Sequence, residues 1–213
     1  VDLSTSNTAN MKIFCIGKNY AKHAKEMNSA VPSKPMIFMK PETAINRTDQ
    51  MDYPAFTENL HYELEVLLYI DKGGKNISPE SAHEHFSEIG LGIDFTARDI
   101  QSRCKEKGHP WEVAKAFDQS AHIGKKFDKS DFDLEQLNFR LLKNGETVQD
   151  GYVKDIIFNF DTLISYISGF FTLEPGDIIF TGTPEGVGPV FPGDMLEGFL
   201  NDELSLKMSI NRE

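Results

Sequence analysis

The sequence predicts an α+β domain that contains more strand than helix. Short apolar runs recur between turns rich in glycine and proline, only a few segments have helical character, and strands and helices do not alternate as in a parallel α/β fold. The chain has 213 residues, of which 39% are hydrophobic and 26% charged. These values are ordinary for a globular protein, and the length is sufficient for one domain with a sizeable core.

In the first half of the chain, apolar runs bounded by turn residues predict the strands. They cover residues 11–16, 36–39, 63–71 and 89–95. Helical spacing predicts a helix over residues 20–27, and Ser78-Pro79 is a helix-start signal for a helix reaching about residue 87. Another helix is expected from Thr96 onward.

The second half begins with a hairpin around the turn Asn144-Gly145, whose strands cover residues 139–142 and 147–153. Apolar residues at helical spacing predict an amphipathic helix over 159–171. A buried strand is expected at 178–180, a loop rich in glycine and proline at 181–189, and a last strand near 204–210.

Composition excludes several classes of partner. The net charge of −11 and the lack of a basic run argue against nucleic acid and anionic membranes. No apolar run reaches the about 18 residues of a transmembrane helix. Residues 1–10 lack the features of a signal peptide, so we expect a disordered leader or appended residues before a single catalytic domain, 11–213, in the cytoplasm. Cys15 and Cys104 lack CxxC spacing and are expected to be free thiols.

Two carboxylates, Glu63 and Glu65, interrupt the apolar run 63–71. Residues two apart in a strand point to the same side, so these side chains should lie close together beside a hydrophobic core. Two like charges held so close are costly without a cation, and Mg²⁺ or Mn²⁺ prefers such oxygen ligands. The alternative is an edge strand whose acidic face is solvated.

Six ordered blocks extend the pattern beyond one motif. They are Gly17-Lys18-Asn19-Tyr20 with His23 and Glu26, Lys40-Pro41, Glu63-x-Glu65, Asp94-Phe95-Thr96-Ala97-Arg98-Asp99, Lys115, and Thr181-Gly182-Thr183-Pro184-x-Gly186-Val187-Gly188. This series resembles the fumarylacetoacetate hydrolase family, and within it the small single-domain acylpyruvate hydrolases and oxaloacetate decarboxylases. The resemblance implies a β-rich mixed-sheet roll with a few short helices, and a homodimer.

The resemblance also implies a metal site formed by Glu63, Glu65 and Asp94. Three carboxylates would leave coordination positions on Mg²⁺ or Mn²⁺ for water and substrate. For Asp94 alone, the alternative is a helix N-cap before Thr96.

His23 and Glu26 lie three apart on a predicted helical turn, and the resemblance implies a base with its orienting carboxylate. A surface pair is the alternative. Lys115, a lone cation in an apolar stretch, is expected to contact the metal carboxylates or the substrate, and otherwise would be a surface lysine whose stem is buried.

For substrate binding, the resemblance implies Arg98 and Gln101, with Asp99 as a partner that positions Arg98 or Lys115. The loop residues Gly182 and Thr183 are expected to hold a substrate carboxylate through backbone N–H groups and the hydroxyl. Outside the site, Trp111 is expected in the core and His83 and His85 on a solvated surface.

With the metal site that the residues predict, the family resemblance implies a Mg²⁺- or Mn²⁺-dependent hydrolase that cleaves the C–C bond of acylpyruvate-type 1,3-dicarbonyl acids. The metal would stabilise the pyruvate enolate that departs. Oxaloacetate decarboxylation and isomerisation of related 2-oxo acids use the same enolate and stay open as alternatives. So does a non-catalytic metal- or ligand-binding domain, which would not need the pair His23 and Glu26.

Overall fold

The computed structural model describes residues 11–27 and 30–212. Its strands are β1 Ile13–Gly17, β2 Met36–Lys40, β3 Ile45–Asn46, β4 Gln50–Asp52, β5 Leu60–Tyr62, β6 Leu64–Ile70, β7 Phe86–Asp94, β8 Thr96–Ala97, β9 Ala121–Asp128, β10 Asn138–Lys143, β11 Glu146–Tyr152, β12 Ile178–Phe180, β13 Gly188–Pro189, β14 Met195–Leu200 and β15 Glu203–Asn211. The α-helices are α1 Ala21–Glu26, α2 Arg98–Lys107, α3 Glu112–Lys115 and α4 Phe160–Phe170, and short 3₁₀ helices cover Glu42–Ala44, Pro79–His85, Lys129–Asp131 and Val153–Asp155.

The strands form a seven-stranded sheet in the order β2-β1-β12-β6-β7-β9-β3, a five-stranded sheet in the order β11-β10-β14-β15-β4, and a small sheet β13-β5-β8. Strands β14 and β15 pack against β7, and β15 also packs against β9. The main hydrophobic core fills the space between the two large sheets, and α4 covers part of it. The predicted α+β class with mixed sheets and few helices is therefore confirmed.

The pairing of β6 with β7 determines where the acidic residues lie. Leu64 pairs with Ile93 and Glu65 with Gly92, so the beginning of β6 lies beside the end of β7. Strand β6 is an interior strand, between β12 and β7, and all its residues are buried. Glu63 lies in the break between β5 and β6, where its carbonyl accepts a hydrogen bond from the Asp94 N–H. The sheet therefore brings both glutamates and Asp94 together where β6 begins and β7 ends.

Two element predictions and one residue placement were wrong. The segment after Ser78 is a 3₁₀ helix, Pro79–His85, and its His85 side chain is buried, with Nδ1 bonded to the Lys72 carbonyl at 2.7 Å. Residues two apart in a 3₁₀ helix point in very different directions, so only His83 is on the surface. The helix expected from Thr96 begins at Arg98, because Thr96–Ala97 pairs with β5.

Residues 1–10, expected as a leader, lie outside the described residues. Both cysteines are free and buried. In the part of the chain that the structure describes, no helix is long and apolar enough to cross a membrane.

Candidate active site

Glu63, Glu65 and Asp94 form a buried cluster of carboxylates. One oxygen from each residue lies within 4.8 Å of the others. Glu63 is 6% exposed, Glu65 2% and Asp94 not at all, so the solvated edge strand considered as an alternative is excluded. Asp94 ends β7 and does not cap a helix, since α2 has Ala97 at its N-cap.

Three buried cations contact this cluster. Lys115 Nζ lies 2.9 Å from Glu63 Oε2 and 2.7 Å from Asp94 Oδ2. Lys40 Nζ lies 2.8 Å from Asp94 Oδ1, and Arg98 Nη2 lies 2.6 Å from Glu63 Oε1. Lys115 is only 3% exposed and thus is not a surface lysine.

The two glutamates differ in their electrostatic surroundings. Burial opposes the charge of Glu63, but Lys115 and Arg98 lower its pKa well below the ordinary value. Burial, together with the negative charges of Asp94 and Glu63, raises the pKa of Glu65 well above the ordinary value. For Lys115, Asp94 and Glu63 outweigh burial and raise the pKa, so this residue is an ammonium at neutral pH.

His23 and Glu26 meet at the pocket. His23 is buried, and its Nδ1 lies 3.1 Å from Glu26 Oε2. The other carboxylate oxygen of Glu26 accepts a hydrogen bond from the Gly186 N–H at 3.1 Å. Glu26 thus links α1 to the loop 181–189. In the neutral imidazole with Nδ1–H donating to Glu26, the lone pair lies on Nε2, which can act as a base.

The expected role of Asp99 is not observed. Its carboxylate accepts a hydrogen bond from the Thr57 hydroxyl and lies 3.6 Å from Arg103 Nη1. Adjacent residues on a helix point about 100° apart, so Asp99 faces away from the group that Arg98 contacts. Arg98 is held instead by Glu63 and by Gln101, whose Oε1 accepts from Nη1 at 2.8 Å.

The loop after β12 also differs from expectation. The Gly182 N–H donates to Glu65 Oε2 at 2.6 Å, so Gly182 holds a carboxylate of the cluster rather than a substrate. Thr183 does line the pocket. Its Oγ1 accepts from Gln149 Nε2 at 2.9 Å, while Gln149 Oε1 accepts from the Leu64 N–H. The Thr183 hydroxyl proton therefore stays available for a ligand.

A pocket of about 420 Å³, including its open mouth, lies over the carboxylates. Its walls contain Trp111, which was expected in the core but is only half-buried, 6.2 Å from the Phe38 ring. The pocket is lined by Ile16, Gly17, Lys18, His23, Met27, Met36, Phe38, Glu63, Glu65, Asp94, Arg98, Gln101, Lys105, Trp111, Lys115 and Thr183. The sequence prediction missed the roles of Lys40 and Gln149 and assigned none to Lys18 or Lys105.

The carboxylate cluster fits a divalent cation. The three donors are all oxygens, as Mg²⁺ and Mn²⁺ prefer, and one of them, Glu65, has no salt bridge among the described residues. Burial and the neighbouring carboxylates Asp94 and Glu63 raise its pKa, and a cation at this position would balance the negative charge of the cluster.

The mixed-sheet fold places three buried carboxylates beside a small pocket. The chain is therefore a domain with a candidate metal centre. The sequence matches the family Fumarylacetoacetate (FAA) hydrolase C-terminal over residues 12–210. The chain belongs to this family.

Relatives with assigned activities are similar over most of their length. The chain is 42% identical to the mitochondrial oxaloacetate tautomerase FAHD1 of Bos taurus over 202 residues, 94% of this chain and 91% of the relative. It is 41% identical to the oxaloacetate tautomerase YcgM of Escherichia coli over 188 residues, 87% of this chain and 86% of the relative.

Among solved structures, the fumarylpyruvate hydrolase from Pseudomonas aeruginosa in complex with Mn²⁺ and pyruvate superimposes with a TM-score of 0.90 and 37% identity, covering 99% of this chain and 94% of that one. The relatives are thus enzymes that act on oxaloacetate or on a pyruvate-containing acid, and one of them holds Mn²⁺.

Proposed function

We propose that this protein is a divalent-metal-dependent enzyme that acts on small 2-oxo acids through their enolates, with keto–enol tautomerisation of oxaloacetate as its reaction. The observation that carries the proposal is the buried cluster Glu63, Glu65 and Asp94 at the base of a pocket that also contains a histidine base. The two tautomerase relatives, at 42% and 41% identity, support oxaloacetate as the substrate.

The metal would be held by the three carboxylates as Mg²⁺ or Mn²⁺, and when bound it supplies positive charge to the 2-oxo oxygen. His23 Nε2 takes a proton from C3 of the keto acid. The negative charge moves to the 2-oxo oxygen, and the proton that His23 took returns to this oxygen through solvent, which completes the enol and restores the neutral imidazole. Glu26 accepts a hydrogen bond from Nδ1–H of the neutral imidazole, which orients the ring and places its lone pair at Nε2.

The remaining polar residues of the pocket bind the substrate. Lys115 is an ammonium and acts as a positive charge near the developing enolate, not as a base. Gln101 and the Thr183 hydroxyl are donors for the carboxylate at the pyruvoyl end, and Arg98 holds Gln101 and Glu63 in place.

Hydrolysis of acylpyruvates is the second candidate, and the pair His23 and Glu26 favours it. In this reaction His23 takes a proton from a water that attacks the acyl carbon, the bond from that carbon to C3 breaks, and pyruvate leaves as its enolate. The similarity to the fumarylpyruvate hydrolase, whose structure contains pyruvate, supports this alternative.

The test compares three activities of one preparation: oxaloacetate tautomerisation, acylpyruvate hydrolysis and oxaloacetate decarboxylation, each with saturating Mn²⁺ and with EDTA. We expect tautomerisation to be fastest and to be lost with EDTA. His23→Ala should lower it by about 100-fold, the scale of a positioned base. Decarboxylation should fall less, since it removes no proton from carbon.

The outcomes separate the candidates. Faster hydrolysis than tautomerisation would favour the second candidate. Equal losses of all three activities in His23→Ala would mean that His23 shapes the pocket and is not the base. Binding of Mn²⁺ without any turnover would point to a non-catalytic binding domain.

A further inference from the structure

Two lysines at the pocket have no anionic partner. Lys18 follows β1 and Lys105 lies on α2, and both line the pocket. Among the described residues, neither ammonium group has an ion pair or a hydrogen bond; Lys105 Nζ only lies over the Trp111 ring, 5.4 Å from its centroid. Within residues 11–27 and 30–212, the nearest attraction for Lys105 is therefore the longer-range charge of Glu63, and no carboxylate forms a salt bridge with either lysine.

The cluster holds equal numbers of carboxylates and cations. Lys40, Arg98 and Lys115 form salt bridges with Glu63 and Asp94, whereas Glu65 forms none among the described residues. Lys18 and Lys105 therefore add an excess of positive charge, in a chain whose net charge is −11. A divalent cation at the carboxylates would increase this excess.

The surroundings of Lys105 favour an anion. Partial desolvation, followed by the positive charges of Arg98 and Lys18, lowers the pKa of Lys105 to about 8. Lys18 adopts a left-handed backbone conformation, with φ of 61°, which is uncommon for a residue other than glycine and is found frequently at functional sites. Lys105 is solvent-exposed and Lys18 partly exposed, so a ligand in the pocket can reach both ammonium groups.

We propose that Lys18 and Lys105 bind the second carboxylate of a dicarboxylic 2-oxo acid and thereby make the enzyme select dicarboxylates over monocarboxylates. The proposal rests on the proposed function, because it places the pyruvoyl end of the substrate at Glu63, Glu65 and Asp94. The distal end then extends along the wall formed by Trp111 and Phe38 toward the two ammonium groups.

The test uses succinylpyruvate and butyrylpyruvate, which have the same carbon chain and differ in the distal carboxylate. We measure kcat/KM for the turnover of each acid with saturating Mn²⁺. The affinity of the Mn²⁺-loaded protein for each acid is measured by calorimetry. Lys105→Met and Lys18→Met should each lower the preference for succinylpyruvate by about 10-fold or more, as expected for loss of a charged hydrogen bond. Lys105→Arg should retain most of the preference.

Lys107→Met is the matched control, because Lys107 lies on the same helix and is exposed like Lys105, but does not line the pocket. It should leave the preference unchanged. Equal losses for both acids, or no loss, in Lys105→Met and Lys18→Met would overturn the proposal. If the wild-type protein turned over neither acid nor oxaloacetate but bound succinylpyruvate more tightly in a lysine-dependent way, the proposed function would fail and this proposal would stand.

Discussion

At the level of single residues, Glu65 differs from its two neighbours in how its charge is balanced. Glu63 and Asp94 contact lysine or arginine directly, whereas the one hydrogen bond that the Glu65 carboxylate receives from the described residues comes from the Gly182 N–H. We expect Glu65→Gln to weaken Mn²⁺ binding by at least 10-fold, since a neutral amide is a poorer ligand than a carboxylate. Calorimetric titration with Mn²⁺ measures the affinity.

The same variant should fold normally without metal. Its amide oxygen can still accept from Gly182, and removing a buried charge between two carboxylates should leave the free energy of unfolding unchanged or higher. Glu106→Gln, an exposed change on α2, is the control. An unchanged Mn²⁺ affinity in Glu65→Gln would remove this residue from the metal site.

At the level of elements, the loop after β12 depends on a close approach that only glycine permits. Gly182 has φ of +104°, and a Cβ added there would lie 2.6 Å from Asn19 Cβ. Gly182→Ala should therefore lower the free energy of unfolding by about 1–3 kcal/mol and, by moving the N–H away from Glu65, weaken Mn²⁺ binding. Urea unfolding and calorimetry provide the two measurements.

Gly176→Ala is the control that separates the cost of the backbone conformation from the cost of the close approach to Asn19. Gly176 has a similar φ of +98°, but a Cβ added there would meet no atom within 4 Å. In this variant the free energy of unfolding should fall only by the cost of the backbone conformation, and the Mn²⁺ affinity should stay unchanged. If the two alanine variants behaved alike, the approach of Gly182 to Asn19 and Glu65 would not matter.

Elements with strong local signals were the ones that could be predicted. The apolar run of β6 and the turn at Asn144 and Gly145, both with positive φ, are determined by nearby residues. Strand β9 was missed, because much of it is exposed and its pairing comes from β7 and β3. Strand β14 was missed because Gly198 interrupts the apolar pattern, although that glycine packs closely against Leu206.

The candidate site shows the same limit. The carboxylates of Glu63 and Glu65 were predicted because these residues lie two apart in a recognisable motif. The contacts of Lys40 with Asp94 and of Gln149 with Thr183 join segments distant in sequence, and no local pattern predicts them. The homologous motif blocks show which residues matter but not which ones touch.

At the level of the whole molecule, the homodimer implied by the family stays a prediction. Sedimentation at micromolar concentration should give about twice the chain mass of 24.0 kDa. A fully active monomer would contradict it.

The pH dependence of stability should contain a contribution from His122, a buried histidine of β9 that pairs with Ile93 of β7. Burial lowers its pKa to about 4, against a small opposing effect of Asp49. An unfolded histidine has a pKa of about 6.5, so between these values the unfolded chain binds more protons and stability rises with pH. The contribution is complete above pH 6.5 and is lost as the pH falls to about 4, a change of roughly 3 kcal/mol.

Urea unfolding of the wild type and of His122→Leu at pH 7 and pH 4.5 should show a smaller pH dependence in the variant. His83→Leu, at an exposed position, should match the wild type, and a His122→Leu protein with the full pH dependence would show that His122 is protonated in the folded state.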